Sequence, residues 1–420
     1  MKKNLLSIAI IFFTVLSATI LFYSCQKGIE PSPQQEGAVI TTAASSNAEN
    51  QSKKIYVSNV SKLYAEINNP ENTSSTIVLA PGIYMLNPIY PKAGRLELLH
   101  NMSLMGQPGH PEEVVIDATE LPLSSFTIPP SNNRTGVIRI GDGSNSIEWI
   151  TFQNDPAHTI RSLIQTDLVV TPTAQIRVAH CIIRGGSIGL SIINSNPAAN
   201  GRILEANIED NEITNNTIPR FVAGIQIQNS MGVTGSTIRI SLKGNYLHGN
   251  GNGIVAFNGS CNVCRISIKS ITDRIEDNGC GLALFGGHNL AGGSATGNEI
   301  QFEADGTTIR SNPGVPAPFE TFIPGGVFAV AGKVAAPGVP GLVNNNTLKI
   351  IFRGCPIDGN IGDHQINAYG AYSLIPSLIP AGSSNTNEIY LHGVSKQATV
   401  NAINSFPIEP AGTNTVNVYR

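Results

Sequence analysis

An apolar residue, two variable residues and an Asn recur at long, regular intervals down the second half of this chain. The element occurs as Ile213-Thr214-Asn215-Asn216, Leu247-His248-Gly249-Asn250, Ile275-Glu276-Asp277-Asn278, Ile309-Arg310-Ser311-Asn312 and Ile357-Asp358-Gly359-Asn360. Looser copies run from Phe152 to Asp155 and from Ile183 to Gly186. The last residues of successive copies are 31, 30, 34, 28, 34 and 48 positions apart. A period of this size marks a repeat architecture in which each repeat is one supersecondary unit.

Every repeat has the same parts. In 237–259, Ile238, Ile240 and Leu242 alternate with Arg239, Ser241 and Lys243, the period-2 pattern of a half-buried strand. Asn245 to Asn250 follows with Leu247 inward, Gly251-Asn252-Gly253 turns the chain, and Ile254 to Phe257 reads as another short strand. The next two repeats use Ile266-Ser267-Ile268 with Leu282 to Phe285, then Ile300-Gln301-Phe302 with Val327 to Val330. Short strands punctuated by Gly and Asn are strand-and-turn chemistry, not helix chemistry. One such repeat cannot bury its apolar face alone, whereas stacked copies can. Asn tolerates the left-handed backbone region and stacks into hydrogen-bonded ladders, so the recurring Asn residues read as structural.

On this repeat the chain resembles the right-handed parallel β-helix family, the pectin-lyase-like fold, over roughly residues 54–420. The resemblance implies an all-β, single-stranded parallel β-helix (a β-solenoid) of nine or ten coils with a short N-terminal capping helix. Asn59 or Ser58 caps that helix, whose apolar positions are Val60, Leu63, Tyr64 and Ile67. It would cover an otherwise open sheet edge. Thr76 to Leu79, Ser103 to Gly106 and Val114 to Asp117 read as early-coil strands, and Ser405 to Arg420 closes the stack. The longest interval holds two inserts, Val315 to Pro324 and Val334 to Gly341, which are expected to loop from one face.

Lys2 and Lys3 precede a long apolar run and then Ser24-Cys25, the order of an export signal. The run is also long enough for an uncleaved membrane anchor. Phe22-Tyr23-Ser24-Cys25 resembles a bacterial lipoprotein signal, which implies lipidation at Cys25. The expected organisation is a signal over 1–25, a flexible tether over 26–53 and the β-helix over 54–420, held at the bacterial cell envelope and facing periplasm or exterior. Cys261 and Cys264 form a C-x-x-C with no second pair to complete a zinc site, so a local disulfide or buried thiols are expected. Charged residues make up 13% and the net charge is −3, which gives no basic surplus for nucleic acid. The expected partners are a polysaccharide and, through the lipid, a membrane; the chain is expected to be monomeric.

Many members of the family it resembles cleave or bind acidic polysaccharides across one strand face. Counted back from the bend Asn, the outward rows of that face are Gln175, Glu205, Arg239, Ser267, Gln301 and Lys349, beside Arg177, Asn207, Ser241, Lys269 and Glu303. A third row holds Glu209, Lys243, Asp305 and Arg353. A lyase needs a base beside a uronate carboxylate and a cation to neutralise that carboxylate. Lys243 or Lys269 fits the base, and Arg239 or Arg265 the neutraliser. Glu209 with Asp305, or Glu303 with Asp305, offers oxygen ligands to calcium, and Tyr246 and His248 are candidate substrate contacts. The competing reading is a ladder of opposite charges along a solvated sheet, worth little energetically.

A second candidate cluster is Asp142, Asp155, His158 and Arg161, which also reads as a solvated loop. A glycoside hydrolase would need two carboxylates flanking one bond. Asp277 and Asp358 occupy what read as equivalent bends, two coils apart, and the catalytic motifs of the pectin-cleaving hydrolases are missing. His248 and His288 read as turn residues, while Tyr246, Tyr369 and Tyr372 read equally as exposed rings or as wet-edged core residues. Aromatic residues are only 6% of the chain, which counts against a strong carbohydrate groove. Two functions follow: a polysaccharide-directed protein, in its sharpest form a lyase on uronate-containing glycans, or a non-catalytic adhesion or structural solenoid.

Overall fold

One coil shows how the chain is wound. Thr237–Lys243, Tyr246–His248 and Asn252–Gly259 follow one another around three sides, and Arg265–Ile271 begins the next coil directly against Thr237–Lys243. In this computed structural model the described residues are 53–122, 136–155, 162–194, 200–217, 223–230, 232–289, 293–314, 325–334, 343–361, 364–373, 383–406 and 413–420. Their strands form a first sheet of 12 strands, a second of 9 and a third of 10, with a small two-stranded sheet at one corner. All pairs are parallel and join neighbouring coils, so nine coils carry all three sides. The protein is an all-β, right-handed parallel β-solenoid, the hand that right-twisted strands favour for parallel crossovers.

Alternation decides what faces in. Ile238, Ile240 and Leu242 are buried between Leu204, Ala206 and Ile208 of the preceding coil and Ile266 and Ile268 of the next. Each short second-sheet strand contributes one inward side chain, and these are the apolar residues of the repeat: Phe152, Ile183, Ile213, Leu247, Ile275, Ile309 and Ile357. Each such burial stabilises the coil by about 1.5–3 kcal/mol.

The recurring Asn is a buried rung. Asn250 donates from its backbone N–H and side-chain amide to Oδ1 of Asn278 (3.1 and 3.0 Å), and its amide also reaches the Ile213 carbonyl (2.8 Å). Asn216, Asn278 and Asn312 repeat the arrangement toward the next coil. The sharp bend belongs to the residue before the rung: Asn215, Gly249, Asp277, Ser311 and Gly359 all have φ between 52° and 66°. Asp358, read from the sequence as a bend residue, instead lies in the second-sheet strand opposite Arg310. A further ladder runs through Asn298, Asn346, Asn385 and Asn414 at the third-to-first corner.

Asp273 takes a rung in the first-to-second corner. Asn211 donates to Asn245, and Asn245 donates twice to Oδ1 of Asp273 (2.7 and 2.8 Å). Burial pushes the Asp273 carboxyl from 3.8 to about 6, against the lowering effect of hydrogen bonds from Ser270 and Asn245. A carboxyl raised in the folded state leaves stability intact below the ordinary value and removes it as pH rises through about 6. Asp273→Asn continues the amide ladder without the charge. It should leave stability near pH 4 unchanged and raise it at pH 8 by up to ~3 kcal/mol, which urea unfolding at the two pH values will measure.

The N-terminal helix is Val60–Ile67, capped by Asn59, whose side chain accepts from the Lys62 N–H; Leu63, Tyr64 and Ile67 pack on the first coils. At the other end, Val400–Phe406 and Thr415–Tyr419 finish the third and first sheets. Among the described residues no helix is long and apolar enough to cross a membrane. Cys25, His158, Arg161, Val315 to Pro324 and most of Val334 to Gly341 lie outside the described residues.

The third sheet differs from the sequence expectation. Its strands extend well past Ile254–Phe257 and Leu282–Phe285, reaching Asn252–Gly259 and Cys280–Asn289, and both sides are buried. Phe257, Phe285 and Phe328 form an outer aromatic wall with Tyr369 and Tyr372. Tyr372 is therefore buried and Tyr369 half-buried, the wet-edged core alternative of the two. His288 sits in this wall rather than in a turn, and burial, with the Lys333 charge, holds its imidazole well below the ordinary value and neutral. Near-continuous apolar runs such as Leu282-Ala283-Leu284-Phe285 are the sequence mark of such two-sided burial.

The five described cysteines are buried free thiols. Cys261 hydrogen-bonds to Cys264, and that bond together with burial holds its thiol well above the ordinary range.

Candidate functional site

The first sheet turns its outward side chains to solvent in the expected register. Gln175, Glu205, Arg239, Ser267, Gln301 and Lys349 form one row, and Arg177, Asn207, Ser241, Lys269 and Glu303 the next. The third row contains Ile271 between Lys243 and Asp305. Arg265 belongs to a fourth row, beside Thr237 and Glu299.

From Gly143 to His392 the cations of this sheet are Arg177, Arg239, Lys243, Arg265, Lys269, Lys349 and Arg353. Its carboxylates are Glu148, Glu205, Glu209, Glu299, Glu303, Asp305 and Glu388, an equal number. Each Arg is engaged. Arg239 holds Glu205 at 2.9 Å, Arg265 holds Glu299 at 3.4 Å and Arg353 holds Glu303 at 3.1 Å. Arg177 bridges Glu148 and Glu209, and the Glu148 hydrogen bond raises its guanidinium above the ordinary value. Burial raises the Glu303 carboxyl, but bonds from Arg353 and Gln301 outweigh it and leave the group below its ordinary value. Lys243 makes no ion pair among the described residues.

The candidate calcium carboxylates are not gathered at one point. Glu209 stands three ladder steps from Asp305, about 14 Å at strand spacing, too far for both to ligate one ion. Glu303 and Asp305 share one strand, but Glu303 is held by Arg353 and Gln301. Among the described residues no group of three or more His, Cys, Asp or Glu is arranged to hold a metal.

The candidate catalytic and substrate-binding residues do not share one face. Tyr246 and His248 lie on a strand of the second sheet, around the corner from the first, and His248 is not in a turn. Only Lys243, the last residue of its first-sheet strand, adjoins them through Gly244 and Asn245. The two rings stack at 4.1 Å. The Arg274 guanidinium lies 4.2 Å over the Tyr246 ring. His248 Nε2 is 3.0 Å from Glu212, and its Nδ1 is 3.3 Å from the Thr214 hydroxyl. Here too two of the three Arg residues are matched, Arg274 by Glu276 at 2.7 Å and Arg310 by Asp358 at 2.8 Å, while Arg184 bonds to the Gln153 side-chain carbonyl at 2.9 Å. In both pairs the carboxylate hydrogen bond holds the guanidinium above its ordinary value.

The corner itself carries residues that the sequence reading passed over. Trp149, His180, Asp210, Gly244 and Thr272 follow one another coil by coil, each in the left-handed region, with φ between 52° and 66°. Each is bonded through its N–H to the carbonyl one coil on. Trp149 stacks on His180 at 4.0 Å, and His180 lies 3.9 Å from Asp210. Asp210 leans over the next coil: a Cβ on Gly244 would meet its Oδ1 at 2.2 Å. Glycine there removes both the backbone strain and the clash. The signal for this column is countable, because its members stand three residues before each inward apolar residue from Phe152 to Ile275.

Trp149, His180, Asp210, Glu212, Tyr246, His248 and Arg274 therefore form one partly exposed strip across five coils, about 19 Å along the axis. Of the other early cluster, Asp142 caps a turn by accepting from the Val170 and Thr171 N–H groups, and Asp155 is exposed.

The chain matches no described sequence family, and no curated protein matches it in sequence. Three solved structures align with it over most of its length. The catalytic domain of a GH87 α-1,3-glucanase, in complex with nigerose, is 11% identical with a TM-score of 0.39, over 90% of this chain and 70% of that one. ORF18 of Geobacillus virus E2 is 12% identical with a TM-score of 0.36, over 79% and 53%. The PL6 family alginate lyase AlyGC is 9% identical with a TM-score of 0.33, over 83% and 53%. The chain thus spans about half the length of the last two.

Proposed function

We propose that this β-solenoid binds a polysaccharide laid along its axis, over the corner between the first and second sheets. The observation that carries the reading is the strip from Trp149 to Arg274, where two stacked aromatic–imidazole pairs flank Asp210 and Glu212. Indole and phenol rings present an apolar face with a polar edge, which suits the alternating faces of sugar rings. A regular stack of coils suits a ligand that is itself a repeat.

The lyase form asks for more. Lys243 is the base that form would use; it borders the strip and carries no ion pair among the described residues, which supports that choice. Arg239 and Arg265, the candidate neutralisers, are already committed to Glu205 and Glu299. Binding is therefore the reading the arrangement supports best. Trp149→Ala and Tyr246→Ala should each weaken retention on a bound glycan about tenfold, the effect of losing one ring contact of roughly 1.4 kcal/mol. Their unfolding midpoints should stay close to that of the parent, because both rings lie on the surface. Unsaturated product that forms with a uronate polymer and vanishes in Lys243→Ala would replace binding with lyase chemistry. Retention unchanged in both aromatic variants would move the function to the adhesion or structural alternative.

The envelope tether belongs to the same proposal. Labelled fatty acid fed to expressing bacteria should enter the protein, and Cys25→Ser should abolish the label; equal labelling of that variant would remove the lipid anchor from the reading.

A further inference from the structure

We infer that the polysaccharide recognised by the strip is uncharged. The inference rests on the glycan reading above and adds the ligand's chemical class. Its basis is the charge accounting of the two sheets that meet at the strip. A surface that captures a polyanion keeps cations uncompensated, so that the ligand's own carboxylates or sulfates complete the pairs. Here the protein completes them itself. On the first sheet, from Gly143 to His392, seven cations face seven carboxylates: every Arg there is ion-paired, and Lys243, Lys269 and Lys349 stand in register with Glu209, Glu303 and Glu388 of a neighbouring strand. On the second sheet, from Thr151 to Asp358, Arg184, Arg274 and Arg310 are balanced by Glu212, Glu276 and Asp358.

The matching also works between neighbours for every described Arg of the two stretches except Arg184, which bonds to the Gln153 side-chain carbonyl instead of a carboxylate. Arg265, 68% exposed, is held by Glu299, and Arg274, 56% exposed, is held by Glu276. An incoming uronate would have to displace a carboxylate already bonded to the guanidinium, from the next coil for Arg265 and from the same strand for Arg274, and would then leave it unpaired beside the ligand. Like charges so placed repel. Asp210 and Glu212, inside the strip, add to that repulsion. A neutral sugar meets no such barrier. Its hydroxyls can donate to Asp210 and Glu212 and accept from His180, while its apolar faces cover the Trp149 and Tyr246 rings.

Affinity electrophoresis of the full-length protein through gels containing single glycans tests this. The neutral panel is β-glucan, α-glucan, mannan and galactan; the acidic panel is pectate, alginate and hyaluronan. The expected result is retardation by at least one neutral glycan, retained at about 1 M NaCl, where the screening length is ~3 Å, and lost in Trp149→Ala. Retardation by acidic glycans alone, abolished by that salt and weakened in Trp149→Ala, would overturn the uncharged ligand and leave the glycan reading standing. No retardation on either panel would sink both. A second variant probes the cause. Glu205→Gln, Glu276→Gln and Glu299→Gln together release Arg239, Arg274 and Arg265 while keeping side-chain shape. The triple variant should gain salt-sensitive retardation on alginate or pectate that the parent lacks. A variant as indifferent to polyanions as the parent would show that charge matching does not set the preference.

Discussion

Asn278→Ala should lower the free energy of unfolding by about 4 kcal/mol, because it strips one rung from the middle of a buried ladder. Asn278 accepts from the backbone N–H and side-chain amide of Asn250, and donates to the carbonyls of Leu247 and Glu276. It is fully buried, so no water takes over these partners. Two donors on one coil and a carbonyl on the same coil lose their bonds, each costing about 1–3 kcal/mol. Urea unfolding measures the total. Hydrogen exchange should show the Asn250 amide released most. Asn215→Gly, one residue from a rung but at a left-handed bend, is the control, and should change stability by less than about 1 kcal/mol. A loss below that value for Asn278→Ala would mean that the rungs follow the fold rather than hold it.

Phe302→Ala should cost about 4 kcal/mol by a different route, the cavity left by a large side chain in a close-packed stack. Phe302 is fully buried, packed between Ile268 and Ile350 of the flanking coils, with its ring edge toward Phe352 at 6.1 Å. A solenoid transmits such damage along its axis, because each coil is stabilised only by its neighbours. Exchange should therefore quicken in Arg265–Ile271 and Thr347–Arg353 while Thr76–Leu79 keeps its protection. Gln301→Ala, one position away and outward, should stay within about 0.5 kcal/mol. Uniform loss of protection from end to end would contradict coil-by-coil stability.

The repeat made most of the fold legible. Once Leu247, Ile275 and Ile309 were aligned as one column, the first-sheet register followed, and Glu205 met Arg239 as counted. The helix cap at Asn59 was equally plain, since an amide oxygen before an amphipathic turn has one obvious use. The site was less legible. Ile271 between Lys243 and Asp305 broke a row that had been counted as polar and put Asp305 three ladder steps from Glu209. The corner column from Trp149 to Thr272 was hidden because its members share a backbone conformation and no side-chain type. The buried wall of Phe257, Phe285 and Phe328 was missed because each apolar run was read only as a short strand, with nothing to say that its outer side is covered.

The sequence by itself determined the period, the inward column and the register. A slip of one residue would expose every Ile of a strand and bury every charge, so alternation admits a single alignment. Only the tertiary structure decided which charges cancel, which rings stack and which outer face is covered. Those outcomes depend on side chains one coil apart, such as Trp149 with His180 or Arg310 with Asp358, that meet only after the intervening residues have closed a full turn.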